Sequence, residues 1–173
     1  MSSRPGLRAA AVAGLVGTAG LAAASGAGLL GRSPKSTGPR KVLITGAASG
    51  FGLELAKRFA ARGDAVIATD LHDTANEAVA KLGDTCTYRK LDVTSDEDWE
   101  RAAAEIGAVD VLVLNAGIAV GGAIENVTMD TWHRALDINL LGAVRGCRAF
   151  VPLLESGAQI VMTSSVAGLV HPI

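Results

Sequence analysis

Residues 45–52 read Thr45-Gly46-Ala47-Ala48-Ser49-Gly50-Phe51-Gly52, placed between a short apolar run, Val42-Leu43-Ile44, and a helical pattern. Three glycines at this spacing carry little meaning alone, but the position between a strand and its helix gives them one. Gly46 suits the tight turn, while Gly50 and Gly52 let backbone approach a diphosphate and a neighbouring strand. The helix N-terminus then offers free N–H groups and a favourable dipole to phosphate oxygens. The other reading is a plain strand-to-helix turn.

Working outward, Leu53, Ala56, Phe59 and Ala60 form one helical face, and Arg62-Gly63-Asp64 ends that helix. Ala65–Ala68 is a second apolar run, residues 74–82 fit a short helix, and Cys86–Leu91 reads as a third strand. Trp99, Ala102, Ala103 and Ile106 recur at helical spacing. Val111–Leu114 is a fourth strand, residues 129–151 a long helix entered through Thr128 as N-cap, and Gln159–Thr163 a fifth strand. The strands read as apolar throughout rather than alternating. That pattern predicts an α/β fold with a Rossmann-type doubly wound parallel sheet, covered on both faces, of which the chain holds five strands.

Asp70 closes the second strand, 18 residues after Gly52. A carboxylate there accepts hydrogen bonds from adenosine ribose hydroxyls and repels a 2′-phosphate. No Arg or Lys lies in the glycine turn to hold such a phosphate, so NAD is expected over NADP. A solvated strand-end Asp is the plainer alternative.

The pattern T-G-x-x-x-G-x-G resembles the short-chain dehydrogenase/reductase family in its compact form, and the resemblance runs in order over residues 41–173. Leu91-Asp92-Val93 resembles the family's adenine-contacting segment. Asn115-Ala116-Gly117 resembles the N-A-G after the fourth strand, with Leu114 where the family often has a second Asn. Asn139-Leu140-Leu141-Gly142 resembles the segment bearing the catalytic Asn, and Val161–Gly168 the segment bearing the catalytic Ser, which makes Ser165 the reactive-site hydroxyl. The resemblance implies hydride transfer between a nicotinamide cofactor and a small-molecule alcohol or ketone. Thr45, Gly46, Ser49, Gly50, Phe51, Gly52, Asp70, Asp92, Val93, Asn115, Ala116 and Gly117 would meet the cofactor, and Ser165 and Asn139 would serve catalysis.

Asn139 also falls on a stripe with Trp132, Ala135, Leu136, Leu140 and Ala143, so it is expected to be buried and to hold a water or a backbone group. A structural Asn bridging helix to strand is the alternative. Family chemistry further uses a tyrosine base a dozen or so residues after the serine, with a lysine four residues later. The sequence stops eight residues after Ser165; its single tyrosine is Tyr88, expected as a sheet residue, and no lysine follows Lys90. The chain is therefore expected to be the front part of a larger dehydrogenase, inactive by itself, with its fifth strand an exposed edge. The competing reading is a non-catalytic NAD-binding or membrane-attached interaction module; a different nucleotide-binding protein, such as a methyltransferase, fits Asn139 and the Ser165 segment poorly. The full-length protein is expected to be a homo-oligomer, since the family commonly pairs through the long helix.

Residues 9–31 carry no charged side chain and have the length of a membrane span. Six Leu or Val residues favour insertion by about 2 to 4 kcal/mol in all, while six glycines oppose it. Arg4 and Arg8 precede the run, so residues 1–40 read as a membrane anchor or targeting segment with a polar linker at 32–40. The catalytic part from residue 41 onward would then be cytoplasmic at a membrane, or cytoplasmic or organellar without one. Six of the sixteen basic residues fall in residues 1–41, which hold no acid, and the rest of the chain sets ten against seventeen acids. An acidic body gives no reason to expect a nucleic-acid partner.

Cys86 and Cys147 are too few and too far apart for a disulfide framework or a zinc site, and no metal site is expected. His72, His133 and His171 do not cluster. Asn126-Val127-Thr128 matches a glycosylation sequon but reads as the approach to a helix cap. Asp96, Glu97, Asp98 and Glu100 suit a helix N-terminus, and Trp99 and Trp132 both read as core.

Overall fold

The computed structural model describes residues 12–15 and 38–165. Its strands are β1 (Val12–Leu15), β2 (Lys41–Thr45), β3 (Ala65–Asp70), β4 (Cys86–Lys90), β5 (Val111–Leu114) and β6 (Gln159–Thr163). They form one parallel sheet in the order β1-β6-β5-β2-β3-β4. The chain moves outward from β2 through β3 to β4, then crosses back to β5 and β6 on the other side. The reversal lies between β2 and β5, where doubly wound sheets open a crevice at the strand carboxyl ends.

The helices are α1 (Gly50–Ala61), α2 (Glu77–Ala80), α3 (Asp96–Ile106), α4 (Met129–Leu136) and α5 (Gly142–Phe150). Alternate residues of each central strand feed two cores, as the two-residue strand period requires. Val42, Ile44, Val66, Ala68, Val111 and Val113 pack with Ala56 of α1 and Val79 of α2. Leu43, Ile67, Leu112 and Leu114 pack on the other face with Trp99 of α3 and Phe150 of α5. Trp99 anchors that second core: its indole donates to Val93 O at 3.0 Å, and its ring meets Phe150 edge-on at 6.1 Å. Such a ring pair adds about 1 kcal/mol beyond the buried area.

Local chemistry sets the helix starts. Asn76, Ser95 and Thr128 accept from the backbone N–H three residues on, at 3.0, 3.1 and 3.2 Å, capping α2, α3 and α4. Asp96, Glu97 and Asp98 fill the first turn of α3, where the dipole favours negative charge. At the other end of the sheet, the buried Asp64 carboxylate accepts from Arg40 N at 2.8 Å and from the Arg62 guanidinium at 3.0 and 3.1 Å.

Several sequence expectations change. The third strand, β4, is half polar because it is the outer strand next to β3 alone, with Arg89 and Lys90 exposed. The second helix shortens to Glu77–Ala80. The fifth strand, β6, is not a free edge: Val12–Leu15 pairs with it in parallel, Val12 opposite Ile160. That strand falls inside the run read as an anchor or targeting segment; the rest of residues 1–37 lies outside the described residues, as do residues 166–173. Among the described residues, no helix is long and apolar enough to cross a membrane.

The long helix is continuous from Met129 to Phe150 but passes through a π-helical turn at Asp137–Leu141. The wider turn shifts the face that meets the sheet. Ala135, Gly142, Gly146 and Phe150 turn inward, while Trp132, Leu136 and Leu140 are 38%, 48% and 55% exposed. Trp132 is therefore not a core residue, and the stripe drawn through Asn139 at uniform helical spacing is not the packed one.

Candidate functional site

At the carboxyl ends of β2, β3, β5 and β6 the chain encloses an open cleft of about 660 Å³. The glycine turn forms its floor. Gly46 has φ +64°, and a Cβ there would come within 2.8 Å of Ala116 Cα, so the β2 and β5 ends can approach closely. A Cβ at Gly52 would be 2.1 Å from Gly46 O, which makes Gly52 a packing requirement inside the turn. Gly50, at φ +53°, faces open space.

α1 differs from α2, α3 and α4 at its start. Ser49 is its N-cap residue but makes no side-chain cap bond, and the first turn holds no acid. The helix thus keeps its unpaired N–H groups and positive end for the cleft, beside Ser49, Gly50 and Phe51 on the lining. That donor set fits the diphosphate of a dinucleotide. The turn is braced from outside: Asn76 Nδ2 donates to Ala48 O at 2.6 Å, and the Asp70 carboxylate accepts from Ala48 N at 2.9 Å and Leu71 N at 2.8 Å. Asp70 is so fixed at the mouth of the cleft with its charge toward the lining.

Asn115 joins three strand ends. Its Nδ2 donates to Thr45 O at 3.0 Å and Gly46 O at 3.2 Å, and its Oδ1 accepts from the Thr163 hydroxyl at 2.9 Å. Thr45 Oγ1 accepts from Asn115 N and Ala116 N at 2.9 and 3.0 Å and donates to Val113 O at 3.4 Å. The sequence places Thr45 and Gly52 among the residues that meet the cofactor. In the structure both are buried behind the cleft surface, because the Thr45 hydroxyl is spent on β5 and Gly52 is pressed on Gly46. Sequence reasoning misses Thr163, whose one signal is that a Thr ends an apolar strand.

Asn139 lies on the π-helical turn and faces the cleft beside Ile138. Its side chain is exposed, not buried: Oδ1 accepts from Ile118 N at 2.8 Å and Nδ2 donates to Ile118 O at 2.9 Å. The partner is a backbone group, of the loop after β5. Ser165 follows β6 on the same lining, with Gly117 and Asn115. Asp92 and Val93 line the cleft too; one Asp92 oxygen accepts from Thr94 N at 2.9 Å and Thr94 Oγ1 at 2.7 Å. Ile118, Ile138, Arg134 and Ser164 also line it, and sequence reasoning misses them. Ile118 and Ile138 are apolar and Arg134 is a lone arginine on a helix, so neither spacing nor motif marks them, while Ser164 lies in the Val161–Gly168 segment, where the sequence singles out only Ser165.

Tyr88, on β4, is outside this lining. Its hydroxyl donates to His72 O at 2.8 Å, and burial, with the charges of Asp70 and Asp73, pushes its pKa up. A phenol held in its protonated form makes a poor base.

A family model described as short chain dehydrogenase matches residues 40–173. Trans-4-hydroxycyclohexanecarboxylate dehydrogenase of Sinomonas cyclohexanicum is 38% identical over 143 residues, covering 74% of this chain and 55% of that protein. Human retinol dehydrogenase 8 is 41% identical over 145 residues, covering 76% and 46%. The crystal structure of a short chain dehydrogenase/reductase from Burkholderia phymatum in complex with NAD superposes with a TM-score of 0.70 at 31% identity, covering 78% of this chain and 52% of that one. The chain spans about half the length of the curated relatives it matches.

Proposed function

The chain belongs to the short-chain dehydrogenase/reductase family, and on that premise we propose that it is the cofactor-binding part of an NAD-dependent oxidoreductase acting on a small-molecule alcohol or ketone. One observation carries the reading: a single cleft is lined at once by the uncapped start of α1, by Asp70, by Asn139 and by Ser165. When bound, nicotinamide accepts or delivers the hydride.

The chain's own residues divide the remaining work. The α1 start and Gly50 hold the diphosphate. Asp70 takes the adenosine ribose hydroxyls and excludes a 2′-phosphate, which favours NAD. Asp92 and Val93 border the adenine end, and Asn115, Ala116 and Gly117 the ribose nearer the reacting centre. The Ser165 hydroxyl orients the substrate oxygen by hydrogen bonding. Asn139 acts as a positioning residue, since both ends of its amide are committed to Ile118. The family's tyrosine and lysine would supply the proton transfer in the whole enzyme.

A second copy is the proposed partner, through the exposed row Trp132, Leu136, Leu140 and Val144. Membrane contact through residues 9–31 belongs to the same proposal. Residues 12–15 cannot be in the sheet and in a bilayer together, and flotation with lipid vesicles separates the two placements. Calorimetric titration of the intact chain with NAD and NADP tests the central reading. NAD binding tighter than NADP supports it; binding of neither overturns it.

A further inference from the structure

The geometry points to Arg134 as an oxyanion-binding residue of the cleft, one that takes a phosphate or carboxylate oxygen of the ligand filling it. The inference rests on the reading that a dinucleotide enters this cleft, and it adds a residue that neither the glycine turn nor the Asn115, Asn139 and Ser165 motifs contain.

Arg134 is set apart by its lack of a partner. Every other arginine among the described residues has a carboxylate within 4.0 Å, including Arg145 farther along the same helix, 2.7 Å from Asp137. The Arg134 guanidinium has no such carboxylate and no hydrogen bond among the described residues, and Arg134 alone of those arginines lines the cleft. It is not drawn to the acids that share the lining. Asp70 is engaged by Ala48 N and Leu71 N, and Asp92 by Thr94. Each carboxylate already has donors from the protein and keeps lone pairs for a ligand hydroxyl, whereas the guanidinium has no acceptor among the described residues.

Its placement suits an anion. Arg134 precedes Ile138 by one helical turn and Asn139 by five residues, so one face of α4 and the π-helical turn presents all three to the cleft. α1 offers its positive end to the same space. A ligand there meets a helix dipole and a guanidinium, with the apolar side chains of Ile118, Ile138 and Val93 beside them. Such walls strengthen a charge contact relative to open water. Arg is suited to the task because its planar fork matches carboxylate and phosphate oxygens. The oxygen belongs either to the cofactor's diphosphate or to an anionic group on the second substrate.

The test titrates the intact chain, Arg134→Gln and Arg134→Lys with pyrophosphate, NAD and the uncharged probe adenosine, with circular dichroism as the check on folding. The expected result is about tenfold weaker pyrophosphate binding in Arg134→Gln, the size of one charge-assisted contact, with partial recovery in Arg134→Lys and adenosine unchanged. A parallel loss for NAD assigns the anion to the cofactor. Unchanged NAD, with pyrophosphate binding to the NAD-saturated chain lost in Arg134→Gln, assigns it to the second substrate. Equal affinities of the intact chain and Arg134→Gln for both ligands overturn the inference, as does pyrophosphate binding to neither. If the intact chain binds no NAD, the cofactor reading fails separately, and the pyrophosphate comparison still decides Arg134.

Discussion

Thr163 gives its hydroxyl proton to Asn115 Oδ1 at 2.9 Å, joining residues 48 positions apart. The same Asn115 amide holds the Thr45 and Gly46 carbonyls, and Thr45 Oγ1 returns two bonds to the Asn115 and Ala116 backbone. Three strand ends are thereby held in register beneath the cleft, and the cofactor floor depends on hydrogen bonds that no single segment can make alone.

Thr45→Val tests that dependence. The substitution keeps the shape and removes a buried hydroxyl oxygen, leaving two backbone N–H groups without their acceptor. The expected loss is about 2 to 3 kcal/mol in urea denaturation, because an unpaired buried donor costs more than the bond itself contributed. Thr163→Val removes one bond at a half-buried site and is expected to cost about 1 kcal/mol. Equal, small effects from both would mean that the network does not hold the floor.

The glycines of the turn are expected to differ in kind. Gly52→Ala would drive a Cβ to 2.1 Å from Gly46 O, against backbone that is pinned by Asn115. The turn has to shift, and NAD binding and folding should both be lost. Gly50→Ala meets open space and bears only the cost of φ +53° with a side chain, about 1 to 2 kcal/mol. It should fold and show a small fall in NAD affinity. Thermal melts with and without NAD give both readings.

These two sets of residues differ in how far sequence reveals them. The apolar strand before Thr45 and the three glycines after it stand within a dozen residues, so one local pattern carries both fold and site. The Thr45, Asn115 and Thr163 bonds span sequence separations set by the crossover from β4 back to β5, which no local spacing encodes. Trp132 and Leu136 depart from expectation for a related reason. A helical period of 3.6 predicts one face, and the π-helical turn at Asp137–Leu141 rotates α5 relative to α4. Nothing in Asp137-Ile138-Asn139-Leu140-Leu141 distinguishes that turn from ordinary helix. Its evident physical correlate, the Asn139 clamp on Ile118, is tertiary.

Asp70→Asn addresses cofactor choice. It removes the charge at the mouth of the cleft and leaves an oxygen to accept from Ala48 N or Leu71 N. The ratio of NAD to NADP affinity is expected to fall by about fivefold, the scale of one solvent-screened charge contact. An unchanged ratio in parallel titrations would remove Asp70 from specificity.

Acid lability should trace to Asp64 and Asp98. Burial pushes both carboxyls up, but hydrogen bonds outweigh it: from Arg62 and the Arg40 backbone for Asp64, and from the Asp92 backbone and Arg101 for Asp98. Both are held below their ordinary value of 3.8. A group whose folded pKa is depressed stabilises the fold above the unfolded value and loses that contribution as pH falls through the folded one. Stability from these two groups should therefore be full above about pH 5 and decline as pH drops below about 4. Asp64→Asn should flatten that acid limb in denaturation midpoints measured from pH 6 to pH 2. A limb of unchanged slope would place the acid sensitivity elsewhere.

Gly146 supplies the close approach of α5 to the sheet. An added Cβ would lie 2.6 Å from Leu114 Cδ2 and 2.8 Å from Trp99 Cη2. Leu114 can yield at its flexible end. Trp99 cannot readily do so, being buried, bonded to Val93 O and set against Phe150. Gly146→Ala is thus an overpacking change, with an expected cost of about 1 to 3 kcal/mol offset in part by the better helix propensity of Ala. Because α5 continues the helix that bears Asn139 and Arg134, the displacement should also reach the cleft. Trp99 fluorescence should shift with the repacking, and NAD affinity should fall more than the stability loss alone would bring at a temperature where the variant is fully folded. A stability loss with unaltered NAD affinity would show instead that the π-helical turn absorbs the movement before it reaches Asn139.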